Sequence, residues 1–251
     1  MSAIILGFIV GIVFGLTGGG GGVLTAPFLI YGLDIPVHQS IGITLITLSF
    51  TAIVGLLKHS RSKKIDWHAG GVISAVGIIA SWLGSRLNFY ISDEILSLAL
   101  AICLILISMM LWHNASYKSK EVVDNKRHYF KLCLIGIVAG FLNGLLGISG
   151  GVIVTTSLIL FMSFSMRRAI LVAMLVIAVN STTSAFTHYY YLPNVISSTA
   201  IVFIASRMCG MVIASHFSNA LPELFLKRGL AVVVFIIGMS MLVKYFLQNY
   251  I

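Results

Sequence analysis

Ten apolar runs follow one another along the chain with almost no charge inside them, and nothing else constrains the fold as strongly. They lie near residues 3–16, 22–33, 39–57, 68–86 and 94–112, then near 131–146, 151–164, 169–187, 195–215 and 226–246. One polar stretch, 114–127, separates the two sets. A soluble domain carries roughly 25 % charged residues; this chain has 9 % charged and 59 % hydrophobic. It is read as an all-α polytopic membrane protein, which excludes a cytosolic enzyme, a secreted disulfide scaffold and a disordered regulator. Spanning a bilayer takes about 20 residues, within a range of about 17–25. The later runs of each half qualify, whereas the first two of each half are short. Joined, residues 3–33 would make about 46 Å of helix, too long for one simple crossing.

The chain repeats itself. A shift of 129 residues carries Gly11, Gly15, Leu16, Gly18, Gly21, Gly22, Val23, Leu29 and Ile30 onto Gly140, Gly144, Leu145, Gly147, Gly150, Gly151, Val152, Leu158 and Ile159. The same shift carries His59 onto His188 and Glu94 onto Glu223. The expected organisation is a first membrane repeat over 1–113, a basic cytoplasmic linker over 114–130 and a second repeat over 131–251. Matched loops carry opposite charge bias. Lys58, Arg61, Lys63 and Lys64 follow the third run, but their counterparts around His188–Asn194 include no Lys or Arg; Arg167 and Arg168 precede the eighth run, where the first half has Asp34. Basic loops stay cytoplasmic, so the repeats are expected to be inverted. Each half is then a glycine-broken helical hairpin plus three transmembrane helices. A parallel layout with four crossings per half gives the same eight hydrophobic peaks. The +9 net charge reads as this positive-inside bias; the lipid bilayer is the expected partner and nucleic acid is not. The N-terminus reads as a retained first membrane segment, since it has neither a basic n-region nor a clear cleavage site.

Two glycine clusters stand at matching places: Gly15-Leu16-Thr17-Gly18-Gly19-Gly20-Gly21-Gly22 and Gly144-Leu145-Leu146-Gly147-Ile148-Ser149-Gly150-Gly151. An unbroken glycine run disfavours helix by about 1 kcal/mol per residue. At membrane depth a broken backbone survives only inside protein or against a water-filled cavity. Helix resumes after each break, so its first amides are expected to be unpaired and to attract an anion. Candidate binding residues are Thr17, Gly18, Gly19, Gly20, Gly21 and Gly22 in the first break. Asn143, Gly147, Ser149, Gly150 and Gly151 are their partners in the second. Close helix packing is the alternative role for these glycines.

Arg207 lies in the middle of an apolar run, where a cation usually faces an interior cavity; pairing with backbone carbonyls is its structural alternative. Arg86 stands at a helix end and can snorkel. All seven acidic residues lie in or beside loops, which speaks against a buried carboxylate relay and fits an anion path. Thr44, Thr47 and Thr51 share one helical face, and Asn180, Ser181, Thr183, Ser184 and Thr187 occupy the matching region. Thr51 and Asn180 are candidate ligands, with interhelical hydrogen bonding as the alternative. His59 and His188 are candidate proton carriers, or else interfacial side chains, and Tyr189–Tyr191 reads as an aromatic belt. Cys103, Cys133 and Cys209 lack metal-ligand spacing. No metal or cofactor is expected.

A glycine-rich break after an N-terminal apolar run, repeated at half length, resembles the sulfite exporter TauE/SafE family of membrane permeases. The similarity covers essentially the whole chain: Gly15–Pro27, the basic loop ending Ile65-Asp66-Trp67, the Gly84-Ser85-Arg86 helix end and Gly144–Gly151. The resemblance implies a cytoplasmic-membrane permease for small sulfur-containing anions or organosulfonates. Pro27 is matched by Thr156 in the second half, so the halves are not expected to be functionally equal. A secondary transporter of a small anion, with a coupled proton or sodium ion as a possible partner, is the leading expectation. An anion channel is the alternative. An enzyme is not expected: HExxH, GxSxG and a buried acid are all missing.

Overall fold

The computed structural model describes residues 2–17, 19–59, 65–113, 128–195, 197–217 and 223–250, the side chains at 59, 128, 194, 217, 223, 227 and 248–250 excepted. The Asn114–Arg127 stretch and the Arg61, Lys63 and Lys64 loop lie outside the described residues. Ten α-helices account for the structure: α1 (Ser2–Thr17), α2 (Thr25–Gly32), α3 (Val37–His59), α4 (Trp67–Asn88), α5 (Asp93–His113), α6 (His128–Leu146), α7 (Gly151–Met162), α8 (Met166–Tyr191), α9 (Ser198–Phe217) and α10 (Glu223–Tyr250). Short 3₁₀ turns, Gly20–Leu24 and Pro193–Val195, complete the described elements, among which there is no strand. Each helix of the first half has a counterpart 129 residues on. The match extends to backbone exceptions: the two described non-glycine residues with positive φ are Asp34 (50°) and Ser163 (53°), which are repeat equivalents.

Seven helices, α3–α6 and α8–α10, are long and apolar enough to cross a membrane, while α1, the Gly20–Gly32 segment and α7 are shorter. The short helices form hairpins. Gly21 lies over Phe14, and Gly32 over Leu6, so α2 folds back antiparallel along α1.

Glycine stripes set the packing. Gly7, Gly11 and Gly15 of α1 lie against Phe203, Arg207 and Met211 of α9. Gly136, Gly140 and Gly144 of α6 lie in the same way against Ile73, Gly77 and Ser81 of α4. Both pairs run parallel at four-residue spacing, and removing Cβ lets the backbones touch, as in small-xxx-small helix pairs. The first helix of each half therefore packs on the fourth helix of the other, and the two halves interleave. α8 runs parallel to α4, with Gly70 near Leu175 and Gly77 near Asn180. α3 runs antiparallel to α8, with Gly42 near His188 and Gly55 near Met174. It is parallel to α9, with Gly42 near Val195 and Lys58 Nζ donating to Ser215 Oγ (2.7 Å). α5 and α10 are antiparallel: Gly238 lies against Ala101, and Ser108 Oγ donates to Ala231 O (2.9 Å).

One ion pair joins the starts of α4 and α8. Asp66 caps α4 by accepting from the Ala69 amide (3.0 Å) and also accepts from Arg168 Nη2 (2.7 Å). Partial burial opposes ionisation of this carboxyl, but the Ala69 amide and the Arg168 guanidinium outweigh it and hold its pKa below the usual carboxylate range.

Two outcomes follow from this packing. Gly11→Ala and Gly144→Ala each push a methyl group into the facing backbone carbonyl, of Arg207 and Ser81. Overpacking costs about 1–3 kcal/mol and more where backbone must move, so thermal melts in detergent should fall well below wild type. Gly71→Ala and Gly229→Ala, which meet nothing within 4 Å, should melt as wild type does. Asp66→Asn keeps the cap and loses the ion pair. Because the Asp66 pKa is depressed, its contribution is complete above the unfolded value of about 3.9 and is lost as pH falls through the folded value. Melting temperatures of wild type and Asp66→Asn should differ at pH 7 and converge only once pH has fallen through the folded value, which lies below 3.8.

Candidate functional site

The glycine breaks interrupt the α-helices for local reasons. Gly19 has φ 115° and Gly147 φ 63°, a left-handed conformation that costs glycine nothing and other residues strain. Thr17 Oγ1 donates to Val13 O (2.6 Å) and accepts from the Gly21 amide (3.0 Å), while the Gly22 amide donates to Gly19 O (3.3 Å). In the second break the Gly147 amide donates to Asn143 O (2.9 Å) and the Gly151 amide to Ser149 Oγ (3.4 Å). The amides of Gly21, Gly22 and Gly151, expected to be open, are therefore already engaged by groups inside the breaks. Gly20 faces Leu230 and Gly150 faces Ala139. Gly18 lies outside the described residues.

The two breaks touch. Ser149 Oγ donates to Gly19 O (3.0 Å), and a Cβ on Gly22 would overlap Ser149. Beside this junction lies Arg207, completely buried on α9. Its Nη1 donates to Thr25 Oγ1 (2.8 Å), and Thr25 Oγ1 donates to Gly22 O (3.0 Å). The guanidinium carbon stands 4.9 Å over the Phe14 ring. Nε and Nη2 have no hydrogen-bond partner. They form one edge of the planar guanidinium, so one of its faces and one of its nitrogens are fixed and a two-donor edge is left over. Sequence reasoning passed over Thr25 and Phe14. Thr25 opens α2 directly after the break, and Phe14 is the repeat equivalent of the candidate Asn143; both facts were available in the sequence.

The remaining candidates divide. Thr51 is buried, but its hydroxyl donates to Thr47 O of its own helix (2.6 Å), as Thr44 and Thr47 do to Ser40 and Ile43. Asn143 and Asn180 lie in a second polar group between α4, α6 and α8. Ser181 Oγ donates to Asn143 Oδ1 (3.2 Å), leaving Asn143 Nδ2 unpartnered, and Asn180 lies over Gly77 with Oδ1 unpartnered. His188 is fully buried, not interfacial; its Nδ1 donates to Ser184 O (3.2 Å) and Nε2 has no partner. The His59 side chain lies outside the described residues. Arg86 is exposed and donates to Tyr191 Oη (3.1 and 3.2 Å). Among the described residues no group of three His, Cys, Asp or Glu could hold a metal. An apolar groove of about 530 Å³ lined by Ser108, Trp112 and Phe235 belongs to the separate α5–α10 pair.

The family model described as Sulfite exporter TauE/SafE matches residues 3–241. A probable membrane transporter protein of Bacillus subtilis is 26 % identical over 255 residues, covering 96 % of this chain and 100 % of the relative. A probable membrane transporter protein of Methanocaldococcus jannaschii is 31 % identical over 188 residues, 71 % of this chain and 68 % of the relative. No solved structure matches.

Thr25→Val keeps the shape of the side chain and removes its oxygen, leaving Arg207 Nη1 buried and unpaired. A hydrogen bond to a charged group is worth about 1.5–3 kcal/mol. The thermal melt of Thr25→Val should fall accordingly, and Thr25→Ser should recover most of the loss.

Proposed function

The chain belongs to the sulfite exporter TauE/SafE family, and on that premise we propose that it is a secondary transporter, not an enzyme, that carries a small anion across the cytoplasmic membrane. A sulfur oxyanion or an organosulfonate is the substrate class we assign. One observation carries this reading: Arg207 is fully buried with Nε and Nη2 unpartnered. Leaving a buried charge uncompensated costs several kcal/mol, and no carboxylate is paired with Arg207 among the described contacts. A planar two-donor edge suits an oxyanion that presents two oxygens together, and it does so better than a point charge. The adjoining starts of α2 and α7 add the positive end of the helix dipole. Phe14 holds the guanidinium in place from the opposite face.

We take the two halves to be inverted repeats, with the Arg168 end of α8 cytoplasmic. The opposed directions of α3 and α8, and of α5 and α10, support this, as does the charge bias of the loops. The interleaving bears on transport. Rocking one sequence half against the other would separate α1 from α9 and α4 from α6, whose backbones touch. We therefore assign motion to these cross-packed pairs, which can move as units about the junction of the breaks. A coupled proton or sodium ion is the driving force we expect in place of nucleotide hydrolysis.

Stability and binding separate the roles of Arg207. Purified protein is melted with sulfite, thiosulfate, sulfate, sulfoacetate, taurine and carboxylates; a ligand at 100 times its Kd adds about 2.7 kcal/mol. In Arg207→Ala the ligand-free melt should stay level or rise, because an unpaired buried charge is removed. The anion-induced shift should disappear. Arg207→Lys should keep only part of it. A ligand shift of wild-type size in Arg207→Ala would take the arginine out of the site. In proteoliposomes, counterflow marks a carrier, while single-channel currents would mark an anion channel.

A further inference from the structure

Four buried polar side chains outside the Arg207 site lie along one face of α8. Asn180, Ser181, Ser184 and His188 are all within 2 % of complete burial and follow the four-residue spacing of a single helical face. Their partners are on α4 and α6: Ser181 on Asn143, Ser184 on Ser81 O (3.5 Å), with Asn88 Nδ2 donating to Leu145 O (2.7 Å) close by. One end of this track adjoins the breaks, since Ile177, a turn before Asn180 and Ser181, lies against Gly19 and Gly151. The other end is the C-terminal end of α8.

Four side-chain atoms along it have no partner: Asn143 Nδ2, Asn180 Oδ1, Asn88 Oδ1 and His188 Nε2. Buried polar atoms are nearly always paired with protein or water. Several unpaired ones in a row, on three adjoining helices, are groups whose partners must come from outside the protein. The far end is closed by Phe89. Its ring lies 4.9 Å from His188, 5.0 Å from Tyr191 and 6.0 Å from His38. His38 is held by Asp93 and by Asn88 O, and Tyr191 by Arg86. Asp93 and Tyr191 are exposed, so Phe89 separates the track from the surface. On the matching face of α3 the Thr51 hydroxyl is spent on Thr47 O of its own helix, Ala52 stands where α8 has Ser181, and Met174 and Met211 fill the space at Gly55.

We infer that this face of α8 becomes a water-filled access route between the Arg207 site and the C-terminal end of α8, its spare acceptors and donor met by the water that accompanies the substrate, with Phe89 as its closed gate. This rests on the anion-transport reading above, and the test keeps the two apart. Cys103, Cys133 and Cys209 are replaced by Ala, Ser184→Cys is introduced, and proteoliposomes are treated with sulfonatoethyl methanethiosulfonate or its trimethylammonium analogue. Ser184→Cys should react slowly, and at least tenfold faster with either reagent once Phe89→Ala is added. Phe186→Cys, on the exposed side of α8, should be indifferent to Phe89→Ala. Asp93→Asn, which releases His38, should accelerate Ser184→Cys in the same direction and serves if Phe89→Ala does not fold. Folded Phe89→Ala and Asp93→Asn proteins with unaccelerated labelling would overturn the route, whatever the anion-dependent melts show. Gated labelling together with no anion-dependent stabilisation would leave the route standing and remove the Arg207 reading.

Discussion

A helix that breaks inside an apolar layer exposes amides and carbonyls that lipid cannot satisfy, and the rest of this structure is arranged to meet that demand. Within the first break, Thr17 and the backbone close on themselves. In the second, Ser149 takes the Gly151 amide while its own proton goes to Gly19 of the other break. The last carbonyls of α6, freed where its helix stops, are taken by Ser85 (3.4 Å) and Asn88 (2.7 Å) from α4. The α6 bonds need α4 close to α6, and the bond from Arg207 to Thr25 needs α9 close to the first hairpin. The Gly7-Gly11-Gly15 and Gly136-Gly140-Gly144 stripes make that approach sterically possible.

The same closeness crosses the halves and creates a site that neither half has alone. Arg207 comes from the second repeat, whereas Thr25 and Phe14, which position it, come from the first. The repeat-related location is chemically different. Phe14 corresponds to Asn143, Thr51 to Asn180, Ala52 to Ser181 and Arg207 to Ile78. One location carries a buried cation with two spare donors; the other carries uncharged amides and hydroxyls with donors and acceptors left over. A shared backbone plan thus supports an electrostatic site on one side and a neutral polar track on the other. Dipoles of uncharged groups can solvate a passing ion without trapping it, which a second buried cation would do.

Much of this was legible in the sequence. Low charge, apolar runs and the 129-residue repeat determined a helical membrane protein with two like halves, because hydrophobic surface and chain length decide what a bilayer accepts. The unbroken glycine run determined where helices must stop, and a lone arginine in an apolar run marked where a buried cation would lie. What residue spacing does not encode is which helices meet. The α1–α9 and α4–α6 exchange, the contact between the breaks and the stacking of Phe14 under Arg207 join residues far apart in the chain. Only the tertiary structure decided that Thr51 spends its hydroxyl on its own helix while Asn180 Oδ1 is left without a partner. Both are polar residues at matching positions, and a hydroxyl on a short side chain can turn back to the carbonyl one turn earlier. His188, legible as an interfacial histidine, is buried because Phe89 and His38 close over it, and that closure belongs to packing between helices, which no single helix records.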